Sequence, residues 1–139
     1  MLNVTQKYSH ARWHDIIQRT VAEVQKLGEL KGGEYAGDDD RLANFRRNGI
    51  QIGQPMEVAW AIYYNKHHDA VMQYIRDLVT GKKRERLEGI EGRIDDMITY
   101  LLLFKCMLDE RAHPQQMTTE QIIAAAKELG IWRDYNSGD

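Results

Sequence analysis

Cysteine, proline and phenylalanine are nearly absent: one, two and two residues in a chain of 139. A single thiol, Cys106, cannot close an internal disulfide, so stability must come from packing. Its place inside an apolar run makes it read as a small core residue. The two prolines, Pro55 and Pro114, both stand between periodic segments, which leaves long stretches free of the strongest helix breaker. No apolar run reaches the about 18 residues needed to span a bilayer, so membrane insertion is not expected. The opening Met1-Leu-Asn-Val-Thr-Gln-Lys7 has no apolar signal core, and a soluble, cytoplasmic protein is expected. Positive charge is not in surplus either. A net charge of −2 argues against a general nucleic-acid binder, which would carry a basic surplus.

What remains is an ordinary globular composition, 42% hydrophobic and 29% charged. Frequent Ala, Leu, Met, Glu, Lys and Arg favour helices. The length suits one domain, residues 1–139, with a core over about 9–110 and a C-terminal docking helix over about 119–129. Ser9 caps a first helix running to about Leu30, with a stripe of Trp13, Ile16, Ile17, Val21, Val24 and Leu27, and Gly32-Gly33 end it. Asp40 caps a short helix from Arg41 to Asn48, closed by Gly49. Pro55 opens a third helix to about Val79, whose stripe includes Ala59, Trp60, Tyr63, His67, Tyr74 and Leu78. A fourth spans about Leu87 to Glu110, covered on both sides, and Thr118-Thr-Glu-Gln121 is a capping box for the last. The expected fold is all-α: an antiparallel bundle of four main helices and one short one. Trp60 reads as a core anchor, while Trp13 and Trp132 suit either a core or an oligomer seam.

The most informative stretch is Glu91 to Phe104, where Arg93, Asp96 and Tyr100 share one helix face within an apolar run. A carboxylate there needs a partner, because an unpaired buried charge costs about 3–5 kcal/mol. Four groups could carry chemistry. Lys66 and Asp69, three apart on the third helix, could anchor phosphate or could form a weak surface pair. Glu88, Glu91 and Asp95 could supply oxygen ligands to Mg²⁺, or simply complement a helix N-terminus. The loop from Tyr35 to Phe45 with Arg46 could stack a base, read its edge through Asn44 and meet phosphate. Lys82, Lys83, Arg84 and Arg86 read as a solvated connector that could attract phosphate. His67, on the apolar stripe, reads as a satisfied core histidine, and Phe45 as a core plug.

In order along the chain, Glu34-Tyr-Ala-Gly-Asp, Asn44-Phe45, Lys66-His67-x-Asp69-Ala70 and Glu91-Gly-Arg93-Ile-x-Asp96-x-x-x-Tyr100 resemble a known group. They are similar to small phage and prophage proteins of the nucleotide modification associated domain 1 type and, more distantly, to MazG-like all-α nucleotide pyrophosphohydrolases. The resemblance covers about Leu30 to Leu108. It implies a helical bundle, often dimeric, that binds a nucleotide or nucleotide-derived small molecule with Mg²⁺. Under it, Tyr35, Asn44, Arg46, Lys66, Asp69, Arg93 and Tyr100 would contact ligand, and Glu91, Asp95 and Asp96 would hold metal. Asp96 would be the catalytic carboxylate in any metal-assisted phosphoanhydride hydrolysis, with host cytoplasm as the setting for a phage-encoded chain. Cations stand at Lys66 and Arg93 where the MazG pattern has carboxylate ligands, which suits sequestration of a nucleotide without cleavage. The competing reading is a non-enzymatic phage interaction protein or inhibitor of a host enzyme or defence system, whose charged residues fix helix register.

Overall fold

In a computed structural model, which describes residues 6–36, 40–114 and 118–133, the chain is all-helical and no strand occurs among the described residues. The helices are α1 (His10–Ala36), α2 (Ala43–Ile52), α3 (Met56–Thr80), α4 (Ile90–Ala112) and α5 (Thr119–Glu128). Three are long and two have ten residues each, so α5 is a second short helix, not a fourth main one. Two compact units divide the chain, Met1–Phe104 and Lys105–Asp139. No helix among the described residues is long and apolar enough to cross a membrane.

Local chemistry accounts for most helix ends. Ser9 caps α1, its Oγ accepting from the Arg12 amide at 3.2 Å. The α5 capping box is complete: Thr118 Oγ1 accepts from the Gln121 amide and the Gln121 side chain from the Thr118 amide. Gly53 and Gly81, at φ +66° and +69°, close α2 and α3 in the left-handed conformation that glycine adopts without a Cβ penalty.

Two glycine assignments differ from expectation. Helix α1 continues through Gly32 and Gly33, because a helical glycine costs only about 1 kcal/mol against alanine. At Gly32 there is a steric gain, since the Arg41 guanidinium occupies the space a Cβ would take. Arg41 thereby reaches the Gly28 carbonyl at 2.6 Å. Gly49 does not end α2 either. It is buried inside the helix, where a Cβ would stand 2.8 Å from the Gln54 carbonyl oxygen at the turn into α3. Asp40 does not cap α2 as expected; Leu42 holds the cap position, and Asp40 Oδ1 accepts from the Leu42 amide at 3.0 Å.

The core of the first unit is small. Among the described residues, Val24, Leu42, Phe45 and Ala59 are its buried apolar side chains. Phe45 plugs it as expected, edge-on to Tyr63 and Tyr100 with ring centroids 6.2 and 6.1 Å away. Trp60 stacks on Tyr64 at 4.8 Å, packs against Phe104 at the same distance, and donates Nε1–H to the Tyr100 carbonyl at 2.6 Å. The apolar stripe of α1 is covered only at its C-terminal end. Val24 is buried, whereas Trp13, Ile16, Ile17 and Val21 are exposed. The first-unit part of helix α4 is likewise covered on one side, with Ile94, Leu101 and Leu102 exposed. Cys106 is also exposed, not a core residue. Helical periodicity marks which side chains share a face, but not whether a neighbour reaches that face.

Candidate functional site

Three helices of the first unit converge on Asp96, which is 9% exposed. Its Oδ1 accepts from the Lys31 ammonium of α1 at 2.8 Å, and its Oδ2 lies 3.6 Å from His67 Nδ1 of α3. Arg93, one turn before Asp96 on α4, places Nη1 3.4 Å from the same His67 nitrogen and 3.2 Å from Glu88 Oε2. The Tyr100 ring packs against His67 with centroids 5.4 Å apart. The shared face of Arg93, Asp96 and Tyr100 therefore does turn inward, toward α3.

Burial is the main force on His67, and it pushes the imidazole pKa below its ordinary value. The Asp96 charge works in the opposite direction, while Lys66 and Arg93 add to the lowering. A neutral ring follows near pH 7. A single nitrogen cannot both accept from Arg93 and donate to Asp96. The 3.6 Å contact to Asp96 is too long for a hydrogen bond. The Nδ1 lone pair therefore faces the Arg93 guanidinium, and the ring proton sits on Nε2.

The outer parts of this group stay wet. The Lys31 and Arg93 side chains are 42% and 26% exposed, against 12% for Asp96 and 6% for His67. A buried carboxylate and imidazole thus hold two cations whose side chains stay partly in solvent.

The other expected site residues fall elsewhere. Lys66 and Asp69 are exposed, and Asp69 lies 3.8 Å from His68, not beside Asp96. Helical geometry explains this: with about 3.6 residues per turn, Lys66 is rotated about 100° and Asp69 about 160° from His67. Arg46 is paired with Asp40 at 2.8 Å. Asn44 is half-buried on α2. The side chain of Tyr35 lies outside the described residues. Glu91 is exposed on the first turn of α4. Asp95 is pushed upward in pKa, first by burial and then by the charges of Glu23, Glu91 and Asp96. Among the described residues no group of three or more His, Cys, Asp and Glu side chains is placed to hold a metal ion. Asp96 itself is engaged by Lys31.

Lys31 is the residue that the sequence reading passed over. It continues the α1 stripe from Val24 through Gly28, and the assumed stop at Gly32 hid that continuity. No family model, curated protein or solved structure matches the chain, and the site is read from its own geometry.

Proposed function

We propose that this protein binds a nucleotide or nucleotide-derived phosphate compound at the Lys31–Asp96–His67–Arg93 group. The observation that carries the reading is the pairing of Lys31 and Arg93, from two helices, around one buried acid–imidazole centre with both cationic heads partly in solvent. Such heads are preorganised donors for phosphate oxygens, and Arg93 can offer two parallel N–H groups. Lys66, close enough to depress the His67 pKa, adds positive potential at the rim. Mg²⁺ enters with the ligand, held mainly by its phosphates, and the Asp95, Glu91 and Glu23 charges receive it from one side. Binding without cleavage is the simpler outcome, since the carboxylate nearest the centre is engaged by a lysine. The setting is the cytoplasm, of the host in the case of a phage-encoded chain.

Thermal shift against a panel of nucleoside mono-, di- and triphosphates, with and without Mg²⁺, tests the reading. A ligand at 100 times its Kd adds about 2.7 kcal/mol. Arg93→Ala, checked for helicity by circular dichroism, is expected to abolish the shift. A panel that stabilises nothing, or a folded Arg93→Ala variant with an intact shift, refutes it. Pyrophosphate and phosphate release assays on the stabilising ligand separate enzyme from binder.

A second reading rests on the uncovered stripe of α1. Trp13, Ile16, Ile17 and Val21 repeat at helical spacing and are 55%, 40%, 39% and 59% exposed. Contiguous exposed apolar surface of this kind marks an interaction face. It suits a homo-oligomer, a dimer in the simplest case, or a host protein bound by a phage inhibitor. Light scattering on the purified chain distinguishes these: a dimer supports self-association, and a monomer directs attention to a foreign partner.

A further inference from the structure

We infer that the connector between α3 and α4 is an anion-binding site of its own, suited to the phosphate or diphosphate group of a small molecule. It shares no residue with the Asp96 group and does not depend on the reading of that group. A cavity of about 380 Å³, open to solvent, lies at the C-terminal end of α3. Tyr74 and Leu78 form its apolar wall, and Lys82, Lys83, Arg84 and Arg86 surround it. Among the described residues, Asp77 is its one acidic lining residue. Four cations face one carboxylate in a chain whose net charge is −2.

The arrangement is more ordered than a solvated basic run. Asp77 is 4% exposed, and its Oδ2 accepts from Arg84 Nε at 2.8 Å and from Arg86 Nη2 at 3.0 Å. Its Oδ1 accepts from Arg84 Nη2 at 3.2 Å and from Gln73 at 3.0 Å. Arg86 also lies over the Tyr74 ring, 5.0 Å from its centroid. One carboxylate therefore fixes two guanidinium groups and neutralises only one. Their side chains remain 37% and 30% exposed. Arg84 Nη1 and Arg86 Nε donate to no group among the described residues, so both have N–H bonds to spare. Lys82 and Lys83 are exposed, and their ammonium groups have no partner among the described residues. The α3 C-terminus favours nearby cations, yet it offers only carbonyl partial charges to two full ones. A bound anion removes the mutual repulsion and uses the vacant donors. The cavity lies at the small end of the range for ligand pockets, which suits a small phosphate compound.

Titration calorimetry of the full chain with inorganic pyrophosphate at low salt tests this, alongside Lys82→Ala/Lys83→Ala and Lys31→Met. Saturable binding by the wild type is expected, weakened about tenfold in the double variant, the scale of two charge contacts near a protein surface. The component of binding lost in the lysine double variant should persist in Lys31→Met, whatever the Asp96 group contributes. Should the double variant fail to fold, Lys83→Gln alone carries the test, with about threefold weaker binding expected. Absence of wild-type binding, or an unchanged affinity in the folded lysine variants, overturns the proposal. Loss of binding in Lys31→Met alone also overturns it and assigns the anion to the Asp96 group. A DNA duplex that binds more tightly than pyrophosphate through the same lysines overturns the small-molecule assignment in favour of a polyanion surface.

Discussion

Replacing Lys31 with methionine keeps the side-chain length and removes the charge that contacts Asp96 Oδ1 at 2.8 Å. The carboxylate is only 12% exposed, so water cannot fully take the place of the ammonium group. Breaking a fully buried ion pair costs about 3–5 kcal/mol, and an exposed pair about 0–1. The Lys31 side chain is 42% exposed, which screens the pair and discounts the upper figure to about 2 kcal/mol. For a chain of this size that is a fall in Tm of roughly 6–8 °C. Asp96→Asn should cost less, about 1 kcal/mol, because a released lysine can turn to solvent. The double variant should be less destabilised than the sum, with a coupling energy of about 1–2 kcal/mol. Urea denaturation of the four proteins measures it, at low salt and again in 1 M NaCl. At high salt the Debye length falls to about 3 Å, which removes a surface pair but spares most of a part-buried one. A coupling below about 0.3 kcal/mol, within the scatter of independent sites, refutes the view that Lys31 and Asp96 join α1 to α4. A coupling that vanishes in salt refutes the part-buried description.

Other outcomes follow from the same structure. Gly49→Ala should destabilise by about 1–2 kcal/mol in spite of better helix propensity, because its Cβ would meet backbone atoms of Gln54 and Met56 at 2.8 and 3.1 Å. Gly92→Ala has nothing within 4 Å of its Cβ and should stabilise by about 0.5–1 kcal/mol; denaturant midpoints of the two variants check the opposite signs. His67, with a folded pKa below the ordinary 6.5, binds a proton more readily when the chain is unfolded. Its contribution is therefore complete above pH 6.5 and is lost as pH falls through the folded value; His67→Gln should flatten that part of the stability–pH curve. Asp77 is held down to about 2 from 3.8, chiefly by its hydrogen bond with Arg84. Its contribution is present above pH 3.8 and lost toward pH 2, and acid titration of Asp77→Asn should lack that loss. Ile17→Glu should reduce the mass seen by light scattering to that of a monomer, in the case that the α1 stripe is a self-association face.

Helix type and rough position were legible because each segment carries its own signals. The Thr118–Gln121 capping box and Ser9 act within one turn of chain and the structure keeps both, while Pro55 holds the cap position of α3 and not its first turn. The inward face of Arg93, Asp96 and Tyr100 was equally readable, since 3.6-residue periodicity is a local property. Partners were less accessible. Asp96 meets Lys31, 65 residues away, and a lysine beside two glycines gave no sign of lying on a buried stripe. His67 displaced Lys66 as the α3 contact because a step of one residue rotates a side chain by about 100°.

Local chemistry in the chain was thus enough to establish an all-α architecture, its caps, and the need for some partner at Asp96. Packing decided which groups supply that partner, that Gly32 and Gly49 lie inside helices beside Arg41 and the α2–α3 turn, and that Asp77 gathers two arginines around a cavity. Those outcomes depend on distances between atoms far apart in the chain, and the intrinsic preferences of single segments do not encode such distances.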